Sequence, residues 1–545
     1  MSEITKPRDV WFADLGDGTY RNPILYADYS DPDIVRVGEH FYMVASSFAN
    51  TPGLPVLHSQ DLVNWTLIGH VVDRLPLDRY DIPQPGEGVW APSIRFHDGM
   101  YWVYFSTPDE GIFVSKAEHP AGPWSPLHLV KAVKGWIDPC PFWDEDGRAY
   151  LVHAFAKSRC GIKSKLQICR MKPEGTELLD EGTIVFDGTE HHPTIEGPKF
   201  YKRNGYYYIF APAGGVATGW QTVLRSKSVF GPYEDKIVMH QGDTMVNGPH
   251  QGGYVKLESG ESWFVHFQDC DAYGRIVHLQ PMSWTNDWPL IGIDTNGDGI
   301  GQPVAAYTKP NVGAVHAFAV PATSDEFDDA ERLGLQWQWQ ANYKRDWFAL
   351  GLKASHLRLF AQPFPAGSGR TLREAPNVLT QKLPSPAFTA TAKLTLYGGS
   401  KGVMAGLVVI GHCYRYLAVE LADGSLKLRL VEKSAKLAPM EVLVEEVRTA
   451  AREVQAAAQP ERAAAITGGA ASSAYEAAVY LRVSVVEGAL CTYSWSRDNK
   501  RFVTIGKEFA ASEGHWVGAQ VGMFCMQLEG DTPAGYTDVD WFRVE

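Results

Sequence analysis

A hairpin recurs five times in the first 305 residues, and this recurrence restricts the fold more than any other feature of the chain. Its copies are "DPDIVRVGEHFYMVASS" from Asp31, "WAPSIRFHDGMYWVYFST" from Trp90, "DPCPFWDEDGRAYLVHAF" from Asp138, "EGPKFYKRNGYYYIFAPA" from Glu196 and "HQGGYVKLESGESWFVHFQ" from His250. Each has a lead residue, a proline or glycine soon after it, a strand, a turn with glycine and an aromatic-rich strand. Asn204-Gly205 between aromatic runs is a strong short-range hairpin signal. The turn glycines Gly38, Gly99, Gly147, Gly205 and Gly260 stand roughly 50–60 residues apart, the length of a four-stranded propeller blade with its loops. The pattern predicts a five-bladed β-propeller over about residues 20–305.

The framework repeats while the lead residue changes chemistry. In three copies it lies nine positions before the turn glycine: Trp90 to Gly99, Asp138 to Gly147 and Glu196 to Gly205. Equivalent blade positions are related by the pseudo-rotation axis, and the innermost strand starts at the central channel. Asp31, Trp90, Asp138, Glu196 and His250 are therefore expected to converge on one cavity. An Asp before Pro is by itself only a turn starter. Three carboxylates around one axis are another matter, because like charges raise one another's pKa. Such a cluster suits glycoside hydrolysis: one acid protonates the leaving oxygen, and another is the nucleophile or the base that activates water. A third, ionised carboxylate would keep the acid protonated near neutrality. Trp90 can supply an aromatic face for a sugar.

The segments "YSDPDIVRVGEHFYM", "GVWAPSIRFHDGMYWVYFST", "GWIDPCPFWDEDGRAYLVHAF" and "TIEGPKFYKRNGYYYIFAP", with "NGPHQGGYV" and "GRIVHLQPMSWTNDWP", resemble glycoside hydrolase family 43. The resemblance extends over essentially the whole chain, with the motifs in family order. It implies an inverting enzyme with Asp31 as general base, Glu196 as general acid and Asp138 as the residue that tunes and orients Glu196. It also implies that Phe48 and Trp90 line the sugar pocket, that Arg275 bonds to sugar hydroxyls, and that Ile137 packs at the pocket wall. No cofactor is required by this pattern; an axial calcium ion or its water shell, held with the help of His250, is the one metal it suggests, and a cation there would offset the negative charge.

The hairpin repeats stop near residue 320. Beyond them "FTATAKLTL", "GVMAGLVVIG", "YRYLAVEL", "LKLRLVE", "YLRVSVV" and "VGAQVGMFCM" alternate with period two, which predicts an antiparallel β-sandwich. The fold class is therefore all-β: a propeller over residues 1–320 and a concanavalin-like sandwich over residues 321–545. "LGLQWQWQAN" and "DVDWFRVE" resemble the ends of the sandwich domain of family 43 β-xylosidases, in which a sandwich loop can close the pocket. The alanine-rich stretch near 433–475 reads as an insertion that is helical until Pro460 and flexible after it. "DTNGDG" from Asp294 imitates the start of an EF-hand loop, but the twelfth position is Ala305 where a glutamate belongs, so a surface turn is expected.

A net charge of −13 argues against nucleic acid or an anionic membrane as partner. The start "MSEITKPRDV" has no apolar h-region, no stretch approaches a membrane span, and seven scattered cysteines form neither a disulfide framework nor a zinc site. A cytoplasmic enzyme is expected, with homo-oligomerisation left open. Its substrate would be an oligosaccharide from plant polysaccharide, cut at a terminal pentose. β-D-Xylosidase leads, α-L-arabinofuranosidase is the alternative, and a non-catalytic carbohydrate-binding protein is the reading from a different class. A fructosidase should show "RDP" and a Glu-Cys pair, whereas Ile137 precedes Asp138 and Gly197 follows Glu196.

Overall fold

The computed structural model describes residues 11–545 except 366–370, 399–401, 423–424, 434–441, 451, 455–473, 531–532 and 534. Five four-stranded antiparallel sheets follow one another along residues 33–72, 90–132, 136–187, 199–239 and 250–291, each with its strands in sequence order. They are the blades of a propeller. Their inner strands are Asp33–Val37, Trp90–His97, Trp136–Trp143, Lys199–Arg203 and His250–Lys256. Apolar faces of consecutive blades pack on one another: Val103 and Val56 between the first two, Leu151 and Val114 between the next, Phe264 and Phe210 between the last two. The ring closes where Ile34 and Met43 of the first blade meet Val265 and Leu279 of the fifth. A short ribbon seals that seam, Thr19–Arg21 pairing with Ala306–Thr308.

Two eight-stranded sheets form the sandwich, with inward residues such as Leu394, Leu407, Val419, Leu481 and Val521 fully or almost fully buried between them. The expected helix in the 433–475 insertion does not form where the chain is described: Val442–Ala450 and Arg452–Val454 are strands, the first paired with Ser425–Lys433. The segment is valine-rich, which favours a strand over a helix, and the backbone of Ser425–Lys433 offers it hydrogen-bond partners. The rest of the insertion, 434–441, 451 and 455–473, lies outside the described residues.

The two domains share backbone. Thr51 and Trp339 exchange both N–H···O bonds, and Asn342 accepts from the Leu75 N–H at 2.7 Å. The blade-five turn 270–274 goes further: Ala272, Tyr273 and the adjoining Ile276 belong to the sandwich core. Tyr273 donates its hydroxyl to the Pro386 carbonyl and accepts from the Ala489 N–H.

Candidate active site

The five lead positions form two layers rather than one. Asp31, Ala91, Asp138, Gly197 and Gln251 all have positive φ, between 30° and 57°, and each directly precedes Pro32, Pro92, Pro139, Pro198 or Gly252. Trp90, Glu196 and His250 come one residue earlier, level with Ile137 and Ser30. The equal spacing of Asp138 and Glu196 from their turn glycines is thus a coincidence of turn length. Trp143 pairs with Ala149 across a five-residue turn, whereas Arg203 pairs with Tyr206 across two residues. In the second, third and fifth blades the ladder slips at these positions, between Trp90 and Ser93, Ile137 and Cys140, and His250 and Gly252. Such a bulge turns two successive side chains toward the axis where a regular strand would turn one.

Those side chains surround a cavity of about 240 Å³ at the mouth of the channel, lined by Asp31, Phe48, Trp90, Ala91, Ile137, Asp138, Thr194, Glu196, Gly215, Val216, His250, Gln251, Arg275 and Trp516. Every site residue expected from the sequence is at this cavity. It is smaller than the roughly 300–1,000 Å³ of common ligand pockets and suits one small ring better than a length of chain.

Asp31 is 4% exposed and heavily bonded. Its Oδ2 accepts from the Ser30 and Ser46 hydroxyls at 2.9 and 2.7 Å, and Arg275 Nη1 lies 3.2 Å from its Oδ1. The same Arg275 nitrogen donates to Ser30 Oγ at 2.7 Å. A cation and two hydroxyls thus fix both carboxylate oxygens in place. Ser46 in turn receives the Ala91 N–H at 2.7 Å, which ties the first blade to the second.

Asp138 and Glu196 are neighbours from adjacent blades. Burial and then the charge of Asp31 push Asp138 up; the Gly197 N–H, 2.8 Å from its Oδ2, and the Lys199 and Arg275 cations oppose that rise. Glu196 is raised by burial, then by Asp138, then by Asp31. Asp138 accepts a fixed backbone donor, the Gly197 N–H, which favours its ionised form. A single proton shared by the two therefore resides mainly on Glu196. His250 Nε2 is 3.5 Å from Glu196 Oε1, but burial and the nearby Arg275 lower its pKa to about 3, so the ring is neutral.

Trp90 and Phe48 meet edge to face, with ring centres 6.1 Å apart, and give the cavity an aromatic wall. Trp516 forms another wall. It comes from the sandwich loop between Val503–Ala510 and Gln520–Gln527, has φ of 64°, and lies 5.6 Å from the Arg275 guanidinium. Sequence reasoning did not single out Trp516, Gln251, Ser30 or Ser46. The two serines stand inside the motifs "YSDPD" and "ASSF", so proximity to Asp31 and Phe48 was a usable signal. "GHWVG" offered only an aromatic between glycines.

Of the six to eight ligands an axial calcium ion takes, the protein would supply the His250 nitrogen, and the oxygens would have to come from a water shell. Among the described residues no three His, Cys, Asp or Glu side chains are grouped to hold a metal. Both ring nitrogens of His250 are buried without a hydrogen-bond partner, which a water could satisfy. "DTNGDG" is a surface turn, its Asp294 carboxylate occupied by the Gly297 and Gly299 N–H groups at 2.7 and 2.9 Å.

A carboxylate paired with a guanidinium, a second carboxyl whose pKa is raised and aromatic walls around a small cavity on a five-bladed propeller are the furniture of a glycoside hydrolase. The profile of Glycosyl hydrolases family 43 matches residues 20–289, and that of the Beta xylosidase C-terminal Concanavalin A-like domain matches residues 324–545. The chain belongs to glycoside hydrolase family 43. It is 46% identical over 404 residues to a candidate β-xylosidase of Xylanibacter ruminicola, covering 74% of this chain and 73% of that one. It is 32% identical over 423 residues to a non-reducing-end α-L-arabinofuranosidase of Bacteroides ovatus, covering 73% and 75%. The crystal structure of a family 43 protein of Bacillus licheniformis superposes with a TM-score of 0.78 at 25% identity, covering 96% of this chain and 99% of that one.

Proposed function

We propose that the protein is an inverting, exo-acting glycosidase that releases terminal pentose, β-D-xylose first, from short oligosaccharides of plant polysaccharide. The observation that carries this reading is the small cavity walled on one side by Trp516 of the second domain, which leaves room for a chain end rather than a chain interior. The Asp31 carboxylate takes a proton from water as the water oxygen attacks the anomeric carbon from one face. Protonated Glu196 gives its proton to the departing glycosidic oxygen as the C–O bond breaks on the other. Asp138 keeps Glu196 protonated through its charge. Inversion calls for base and acid roughly 6.5–9.5 Å apart, with the water between them.

The Xylanibacter relative and the β-xylosidase-type sandwich favour xylose. The Bacteroides relative supports α-L-arabinofuranose as the second reading. Seven free cysteines suit a reducing, cytoplasmic setting.

Aryl β-D-xyloside, α-L-arabinofuranoside, β-D-galactoside and β-D-fructofuranoside, assayed by p-nitrophenol release, test the reading. Turnover of a pentoside supports it, with the ratio naming the sugar; turnover of neither rejects it. Asp31→Ala should abolish hydrolysis for every leaving group. Glu196→Ala should retain far more activity on p-nitrophenyl substrates than on xylo-oligosaccharides, because a good leaving group needs little protonation; full activity on the oligosaccharide would refute the acid assignment.

A further inference from the structure

The cavity has one wall from each domain, and the buried side chain of Asp28 joins them. Asp28, 4% exposed, accepts the Arg275 N–H on Oδ1 and the Gly518 N–H on Oδ2, both at 2.9 Å. Arg275 is the residue whose guanidinium holds Asp31, and Gly518 is two residues beyond Trp516. The junction has no slack. A Cβ on Gly274 would lie 2.6 Å from the Asp28 carboxylate and from Gly518 N, and one on Gly518 would lie 2.8 Å from Gly274 N. One residue on, the Ala519 N–H donates to the Ala272 carbonyl at 2.7 Å.

We infer that Asp28 is a positioning residue: its carboxylate fastens the loop bearing Trp516 to the strand bearing Arg275 and thereby sets the width of the sugar pocket. This rests on the reading of the cavity as the pentose site. The chemistry calls for a carboxylate. Two converging N–H donors need two acceptors, and an asparagine offers one oxygen and an NH₂ whose hydrogens would oppose the second donor. Bonds to an ionised acceptor are also about twice as strong as neutral ones. Asp31 keeps its serine hydroxyls when the fastening is cut, so the loss falls on sugar binding more than on the chemical step.

The test is Asp28→Asn in the full chain, alone and combined with Trp516→Ala, assayed on the preferred aryl pentoside, with hydrogen exchange of segments 274–277 and 511–520. Asp28→Asn is expected to raise exchange in both segments and raise KM by about fivefold or more, with kcat within about threefold. On the Trp516→Ala background it should change KM by less than about twofold, because the wall it positions is gone. A KM effect that adds to that of Trp516→Ala, a loss confined to kcat, or unchanged exchange overturns the inference. Should Asp28→Asn fail to fold, Asp28→Ser, whose shorter side chain cannot span both donors, should show the same pattern; failure of both to fold would assign Asp28 to folding and overturn its positioning role. Exchange needs no substrate, so a wild type inactive on both pentosides would reject the pentosidase reading while the fastening is judged by exchange alone.

Discussion

Glu196 and Asp138 hold their protons more tightly in the folded protein than in the unfolded chain, because burial and the neighbouring carboxylates disfavour ionisation. The stability consequence has a definite sign. Well below the unfolded value, about 4, both states are protonated and nothing is lost. As pH rises the unfolded chain ionises first, so the folded state is penalised progressively until the folded pKa values are passed. Glu196→Gln should therefore raise the apparent Tm, and by more at pH 8 than at pH 4; calorimetry at the two values checks it, and an equal shift at both would mean that ionisation is not the cause. Activity follows the same carboxyl pair from the other side. The basic limb of kcat/KM reports loss of the acid's proton. Asp138→Asn removes a negative neighbour, so that limb should move down by roughly one pH unit, measured as a pH–rate profile of the surviving activity. An unmoved limb would deny Asp138 its tuning role.

At the scale of the element, hairpin and bulge divide the work. The hairpin was legible because turn chemistry and alternation are local: Asn204-Gly205 forms a tight turn between strands that pair residue for residue from Lys199 to Phe210. The bulge was not. Alignment on the turn glycines put Asp138 and Glu196 in one layer, although a longer turn after Trp143 hid a shift of one residue. The better alignment was present in Pro32, Pro92, Pro139, Pro198 and Gly252, each following a left-handed residue. Gly252 shows why the fifth blade has glycine there. A Cβ would lie 1.8 Å from the Val265 carbonyl oxygen of the paired strand, and backbone has no rotamer by which to yield. Gly252→Ala should cost at least about 2 kcal/mol and displace His250 and Gln251 from the cavity. A denaturant melt with KM for the pentoside checks both effects; a variant with wild-type stability would mean that the strands separate without strain.

For the whole molecule, the question is whether the sandwich is an appendage or a part of the site. The sequence divided the chain into two domains and expected a sandwich loop at the pocket, but nothing local identified Trp516. It lies far along the chain from Asp31, and its neighbours reveal only an exposed aromatic, here 46% accessible. Contacts between distant segments are set by how the domains pack, which alternation and turn signals do not encode. The packing itself is intimate. Ala272, Tyr273 and Ile276 are propeller residues by topology and sandwich-core residues by burial, and they lead into and follow Arg275. Removing the sandwich would expose those apolar side chains and leave the Tyr273 hydroxyl without Pro386 and Ala489. Asp28 would lose the Gly518 donor and leave a buried carboxylate oxygen without that partner, which carries a desolvation cost. A fragment of residues 1–320 should therefore either aggregate or fold with Arg275 displaced. In the second case kcat/KM on the aryl pentoside should fall by about a hundredfold or more. Adding the separately produced sandwich should restore little of it, because the turn must enter a core that has already closed. A soluble fragment with near-native kcat/KM would show that the propeller builds the sugar pocket unaided and that Trp516 is dispensable to it.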